Sequence, residues 1–178
     1  METKIRLLIN VSNMRDRTKQ PSTPENPLPE QLRWTCKPFS ELLPEELYQA
    51  LRLRSEVFIV EQRCPYLDED NRDQESLHLF GWVDGLLAAY VRILPPGLAF
   101  EEISIGRVVT SPLVRRKGFG VPLMREAIRQ AWQAFGQADI RIGAQYYLLA
   151  FYSSLGFRQV SEIYLEDDIQ HVEMLLKP

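Results

Sequence analysis

Two apolar runs, Leu77 to Val83 and Leu86 to Leu94, are separated by only Asp84-Gly85. Two such residues between apolar runs predict a β-hairpin, because its tight turn needs positive φ at the central positions. The rest of the chain must therefore be arranged around an antiparallel strand pair. Pro95-Pro96-Gly97 ends the second run, and the β-branched segment Ile103 to Thr110 predicts a further strand. Upstream, Arg33 to Phe39 reads as a first strand. Pro44-Glu45-Glu46 then opens a helix, since proline is tolerated in a first turn and acids suit the positive end of the helix dipole. Leu47, Leu51, Ser55 and Phe58 carry that helix to about Val60, and Glu61 to Ser76, polar and acidic with Pro65, reads as a loop.

Downstream, Val121, Met124, Ile128, Ala131, Trp132 and Phe135 fall on one helical face, and Gly136 ends it. Ile140 to Ala144 predicts a strand, Tyr147 to Leu155 a short helix stopped by Gly156, and Val160 to Leu165 and His171 to Leu176 two final strands. The order β-α-β-β-β-α-β-α-β-β predicts an α/β fold: a mixed, mostly antiparallel sheet flanked by helices.

Residues 1–31 read differently. Pro21, Pro24, Pro27 and Pro29 crowd beside Ser22, Thr23 and Glu25, which predicts a flexible Pro-rich extension ahead of one domain over 32–178. The 178 residues are 45% hydrophobic, enough for a core in a domain of this size. A net charge of -3 argues against a broad nucleic-acid surface. The run Ile5 to Val11 is too short, and too interrupted by Arg6 and Asn10, for a signal peptide. No stretch approaches the ~18–20 apolar residues of a membrane span, so a cytoplasmic protein is expected. Cys36, Cys64, His78 and His171 have no ligand spacing, so no metal site is expected.

The chemistry is concentrated in Val108-Val109-Thr110-Ser111-Pro112-Leu113-Val114-Arg115-Arg116-Lys117-Gly118-Phe119-Gly120. A strand runs into a basic loop with glycines two apart, and an amphipathic helix follows. Free amides at a helix start bind anions, and Arg115, Arg116 and Lys117 add positive charge. A phosphate or pyrophosphate is the expected ligand. Neither Gly-Lys-Ser/Thr nor Gly-x-Gly-x-x-Gly is present, so the loop is not a common nucleotide motif. A helix start that is merely basic remains the competing reading.

Arg-x-x-Gly-x-Gly after Val-Val-Thr-x-Pro resembles the acetyl-CoA motif of the GNAT N-acetyltransferase superfamily. Tyr152-Ser153-Ser154-Leu155-Gly156-Phe157 matches that superfamily's Tyr-x-x-x-Gly-Phe signature. The chain is similar to the ElaA branch over about residues 34–176. The matching runs include Val60-Glu61-Gln62, Cys64-Pro65-Tyr66, Ile105-Gly106-Arg107-Val108-Val109 and Glu166-Asp167-Asp168-Ile169-x-His171.

The resemblance implies acetyl-CoA as co-substrate and an amine attacking its acetyl carbonyl directly, with no metal. Val108, Val109 and Thr110 would present backbone to the pantetheine arm. The basic loop, Arg115, Arg116, Lys117, Gly118, Phe119, Gly120 and Val121, would hold the pyrophosphate. Tyr152 would protonate the departing thiolate, and the Val109 amide would stabilise the oxyanion. Gln145 stands where many relatives carry an Asn that touches the cofactor. Ser104 stands where some members place a catalytic Glu, with Glu101 and Glu102 nearby, so the base is unassigned.

For the acceptor, a small-molecule or peptide amine, the candidates are Glu61, Tyr66, Arg107, Glu166 and His171. Two acidic groups, residues 61–75 and 166–168, would draw a cationic amine if both rim one cleft. Solvated faces or ion pairs with Arg63, Arg72 and Arg107 are the plainer reading of both. No nucleic acid or membrane partner is expected, and a homodimer through the last two strands is an open possibility. The alternative function is a non-catalytic acyl-CoA-binding module. A domain whose basic loop binds some other phosphate is a third.

Overall fold

The computed structural model describes residues 32–178, so the expected extension over 1–31 lies outside the described residues. The hairpin forms where the sequence puts it. Strand β2 (Leu77–Val83) pairs with β3 (Leu86–Leu94), and Asp84 and Gly85 take φ of 51° and 77° between them. Both angles lie in the left-handed region that a two-residue turn demands. Strand β1 (Arg33–Pro38) adds to β2, and β4 (Ile103–Thr110) adds to β3, all antiparallel.

Helix α2 (Gly120–Phe135) then crosses to β5 (Ile140–Gln145), which runs parallel to β4. After α3 (Leu149–Ser153), the short strands β6 (Arg158–Gln159) and β7 (Tyr164–Glu166) both pair with β8 (Ile169–Leu176), which lies against β5. The eight strands form one sheet in the order β1-β2-β3-β4-β5-β8-β6, with β7 also on β8.

Residues Leu87 to Leu94 of β3 are buried throughout, because the sheet is covered on both faces. On one face Leu123, Met124, Ala127, Ile128 and Ala131 of α2 pack against Ala89, Val91, Ile93, Ile105, Ile142 and Met174. On the other, helix α1 (Pro44–Arg54) sets Ala50 and Leu53 against Phe80, Leu87, Tyr90 and Val109. Each helix buries one stripe, as its sequence spacing requires.

The largest irregularity is in the centre. β4 and β5 pair only through Ile103 with Ile140 and Ser104 with Arg141. Beyond that point the two strands are not paired, and the sheet opens. In the same stretch the β3–β4 register shifts, between Tyr90 opposite Val109 and Arg92 opposite Gly106. Arg107 absorbs the extra residue with φ of 51°. A bulge of this kind re-aims side chains locally.

Three expectations change. The first helix does reach Glu61, but residues Ser55–Glu61 are wound as π-helix, closed by Gln62 N–H donating to the Val57 carbonyl at 3.1 Å. Wider winding turns successive side chains to new directions, which periodicity at 3.6 does not anticipate. The segment 61–76 is a loop, yet Asp68 and Asp73 are buried. Finally, of the strand expected over 160–165 only Tyr164 and Leu165 form one, in β7, while β6 ends before it at Gln159. The Ser161 hydroxyl accepts the Glu173 N–H at 2.8 Å, replacing a backbone partner there. β8 is paired along both edges, with β5 on one side and β6 and β7 on the other.

Candidate functional site

The split between β4 and β5 opens a cavity of about 490 Å³. Gly106 to Thr110 form one wall, and Ile142, Gly143 and Gln145 the other. Gly120 and Leu123 of α2 and Tyr152 of α3 also line it. Tyr66, Tyr164, Glu166, Asp167 and His171 line it as well. Of the residues singled out from sequence, Val108, Val109, Thr110, Gly120, Tyr152, Tyr66, Arg107, Glu166 and His171 thus face one space.

The first intrahelical bond of α2 runs from Leu123 N to Phe119 O at 3.0 Å. The amides of Gly120 and Val121 precede it, and Pro122 has no N–H to satisfy. Phe119 is buried with Ala88 and Val114, so its ring anchors the turn. Gly118 carries φ of +81° and a Cβ there would meet nothing within 4 Å, which leaves the turn open on its outer side. Arg116 and Lys117 are exposed beside it. Free amides, an open glycine and two exposed cations suit a diphosphate.

Arg115 is different. Its Nη1 and Nη2 donate to the two oxygens of Glu61 at 2.7 Å each, so a residue expected to hold cofactor and one expected to hold acceptor pair with each other. Neither lines the cavity, and Arg116, Lys117, Gly118, Phe119 and Val121 lie outside its lining as well.

Tyr152 is 6% exposed, packed edge-on against Phe151 and Phe157 at ring-centroid distances of 5.0 and 6.0 Å. Burial, and secondarily the neighbouring Tyr147, push its hydroxyl pKa far above the usual phenol value. At neutral pH the hydroxyl therefore keeps its proton.

Sequence reasoning missed Arg54 and Arg92, which hold the acidic loop. Arg54, at 0% exposure, donates through Nε to Asp68 at 2.6 Å and through Nη1 to both oxygens of Asp73 at 2.9 Å. Arg92 donates Nη1 and Nη2 to the two oxygens of Asp70 at 2.6 and 2.7 Å. Arg107 reaches back from the bulge to Asp68 at 2.6 Å and lies 5.9 Å from the Tyr66 ring centre. The carboxylate it orients is thus the protein's own. Asp68, Asp70 and Asp73 of the acidic run thus pair with arginines: with Arg107, as the ion-pair reading of the sequence expected, and with Arg54 and Arg92, which it did not name.

His78 is a packing residue, with Nε2 donating to the Asp73 carbonyl at 2.9 Å and Nδ1 accepting from Tyr90 Oη at 2.8 Å. A carbonyl only accepts, which fixes that tautomer. Gln62, also missed, ends the π-helical segment in the cavity wall. Tyr147 Oη donates to Gln145 Oε1 at 2.5 Å, Gln145 Nε2 donates to Gln62 Oε1 at 3.3 Å, and buried Gln62 Nε2 has no partner among the described residues. Ser104 is buried and carries no carboxylate, while Glu102 is held by Arg141 at 2.6 and 2.9 Å.

A mixed sheet splayed at its central parallel pair, with a helix opening onto the split, defines the architecture of a GNAT transferase. The comparisons agree. The model of the Acetyltransferase (GNAT) domain matches residues 43–178. Protein ElaA of Escherichia coli is 39% identical over 145 residues, covering 80% of this chain and 95% of the relative. Its crystal structure superposes with a TM-score of 0.78, covering 83% of this chain and all of that one. An acyl-CoA N-acyltransferase from Pseudomonas aeruginosa superposes with a TM-score of 0.79 at 43% identity, covering 82% of this chain and 99% of that one. The chain belongs to the GNAT acetyltransferase family, among the relatives of ElaA.

Proposed function

We propose that the protein is an acetyl-CoA-dependent N-acetyltransferase that acts on a primary amine by direct attack in a ternary complex. The observation that carries this reading is one cavity lined together by Gly120 at the first turn of α2, by Tyr152, and by Glu166, Asp167 and His171, which we take as the acceptor end. In this reading the amides around Gly118 to Val121 hold the diphosphate, with Arg116 and Lys117 beside it. Val108, Val109 and Thr110 bind the pantetheine arm along the unpaired edge of β4. The acceptor nitrogen, once deprotonated, attacks the acetyl carbonyl. The C–S bond breaks, and Tyr152 gives its proton to the thiolate. The acceptor is a small-molecule or peptide amine. Among the described residues no helix is long and apolar enough to cross a membrane, and a cytoplasmic location goes with the reading.

Calorimetry with acetyl-CoA, followed by thiol-release assays over polyamines, amino acids, lysine peptides and amino sugars, tests it. Saturable binding with release driven by at least one amine is expected, and no binding at high micromolar cofactor contradicts it. The absence of a carboxylate at Ser104 favours one competitor, a non-catalytic acyl-CoA-binding module. Binding without release from any amine would select that competitor.

A further inference from the structure

We propose that His171 is the general base of the transfer, accepting the acceptor's proton at Nε2. The inference rests on the acetyl-transfer reading and supplies the group which that reading leaves open. His171 lies on β8 opposite Gln145 of β5 and lines the acceptor end of the cavity. Its Nδ1 is 2.9 Å from the carbonyl oxygen of Ile169. A carbonyl has no proton to give, so Nδ1 carries the hydrogen and the neutral ring keeps its lone pair on Nε2. Among the described residues nothing bonds to Nε2. Tyr164 lies against the ring at 5.9 Å between centroids and 27° between planes, which fixes its orientation. The ring is thus held by one nitrogen and one face, and offers the other nitrogen.

The other bases at this end are committed or unsuited. Both oxygens of Asp70 are taken by Arg92. Burial, with Asp167 and Asp168 nearby, raises the Cys64 thiol and keeps it protonated. Ser104 has no basic atom. Glu166 and Asp167 are exposed at the β7–β8 turn, where their charge attracts an ammonium but water solvates them. The proton balance closes. Nε2 takes H⁺ from R–NH3⁺, the free R–NH2 forms the new C–N bond, and the C–S bond breaks. The thiolate is protonated by Tyr152, which recovers a proton from the product nitrogen. His171 then returns its proton to water.

The test uses two variants of the full chain. His171→Asn keeps an N–H for Ile169 but has no basic nitrogen, and His171→Ala removes both. Each is assayed with the best primary amine from the screen and with hydroxylamine, whose nitrogen is already unprotonated at neutral pH. Both variants are expected to bind acetyl-CoA like the parent and to lose about 100-fold in kcat with the primary amine. Turnover of hydroxylamine is retained, and added imidazole restores His171→Ala. Equal losses with both nucleophiles, or an unchanged kcat with the primary amine, would overturn the assignment. A parent protein that binds acetyl-CoA but releases thiol with no amine would instead overturn the acetyl-transfer reading beneath it.

Discussion

Tyr152 combines two properties that rarely coexist in a core tyrosine. It is buried among phenyl rings, yet its hydroxyl has no partner among the described residues and borders the cavity. A buried hydroxyl is normally satisfied, so one left open to a cavity is available to a ligand. Removing the oxygen alone isolates its chemistry from its packing. Tyr152→Phe is expected to lower kcat by about 100-fold, the low end of what a positioned acid contributes, with acetyl-CoA affinity nearly unchanged. Steady-state kinetics beside calorimetry checks this. A proportional loss of binding would make Tyr152 a packing residue of the cofactor arm.

Between elements, the loop after α1 is held by charge rather than by apolar burial. Asp73 accepts from Arg54 of α1 and from Arg92 of β3, at 2.9 and 2.8 Å, so one carboxylate ties helix, loop and strand. Removing one partner leaves two buried guanidiniums short of compensation. Asp73→Ala should cost roughly 3–5 kcal/mol in urea unfolding, whereas Glu69→Ala, on the exposed side of the same loop, should stay within about 0.5 kcal/mol.

The elements most legible in the sequence were those set by local rules. The Asp84-Gly85 turn and the apolar period of α2 placed three elements at their observed bounds. The π-helical winding of Ser55–Glu61 was not legible, because its wider turn departs from the 3.6-residue period, and the irregularity at Ser161 was not, because the Glu173 N–H that bonds its hydroxyl comes from another strand. The buried role of Asp68 and Asp73 was hidden for a similar reason: their partners, Arg54, Arg92 and Arg107, are 14 to 39 residues away.

For the whole molecule, the same network sets the response to acid. Burial alone would raise the Asp70 carboxyl, but the Arg92 hydrogen bonds and charge outweigh it and hold its pKa down to about 2. Asp73 is lowered in the same way, with Arg92 and Arg54 overcoming burial. An unfolded aspartate titrates near ~3.9, so folding favours the charged forms. Their contribution is complete above that value and is lost as pH falls from about 4 toward 2. The urea midpoint should drop over that interval, and Asp70→Asn should flatten the drop. An unchanged pH dependence in the variant would remove Asp70 from the account.

The site as a whole was partly legible. Gly120 of the glycine loop and Tyr152 of the Tyr-x-x-x-Gly-Phe run line one cavity, but nothing in the sequence announces that β4 and β5 part after Ser104, or that Glu61 and Arg115 would take each other. The central claim is that acetyl-CoA occupies that parting with its diphosphate on the first turn of α2. Backbone amide NMR of the protein titrated with acetyl-CoA addresses it directly. Saturable shifts at Gly118 to Val121 and at Val108 to Thr110 are expected, with competition from adenosine 3′,5′-bisphosphate. Saturation that leaves those amides unmoved would contradict it.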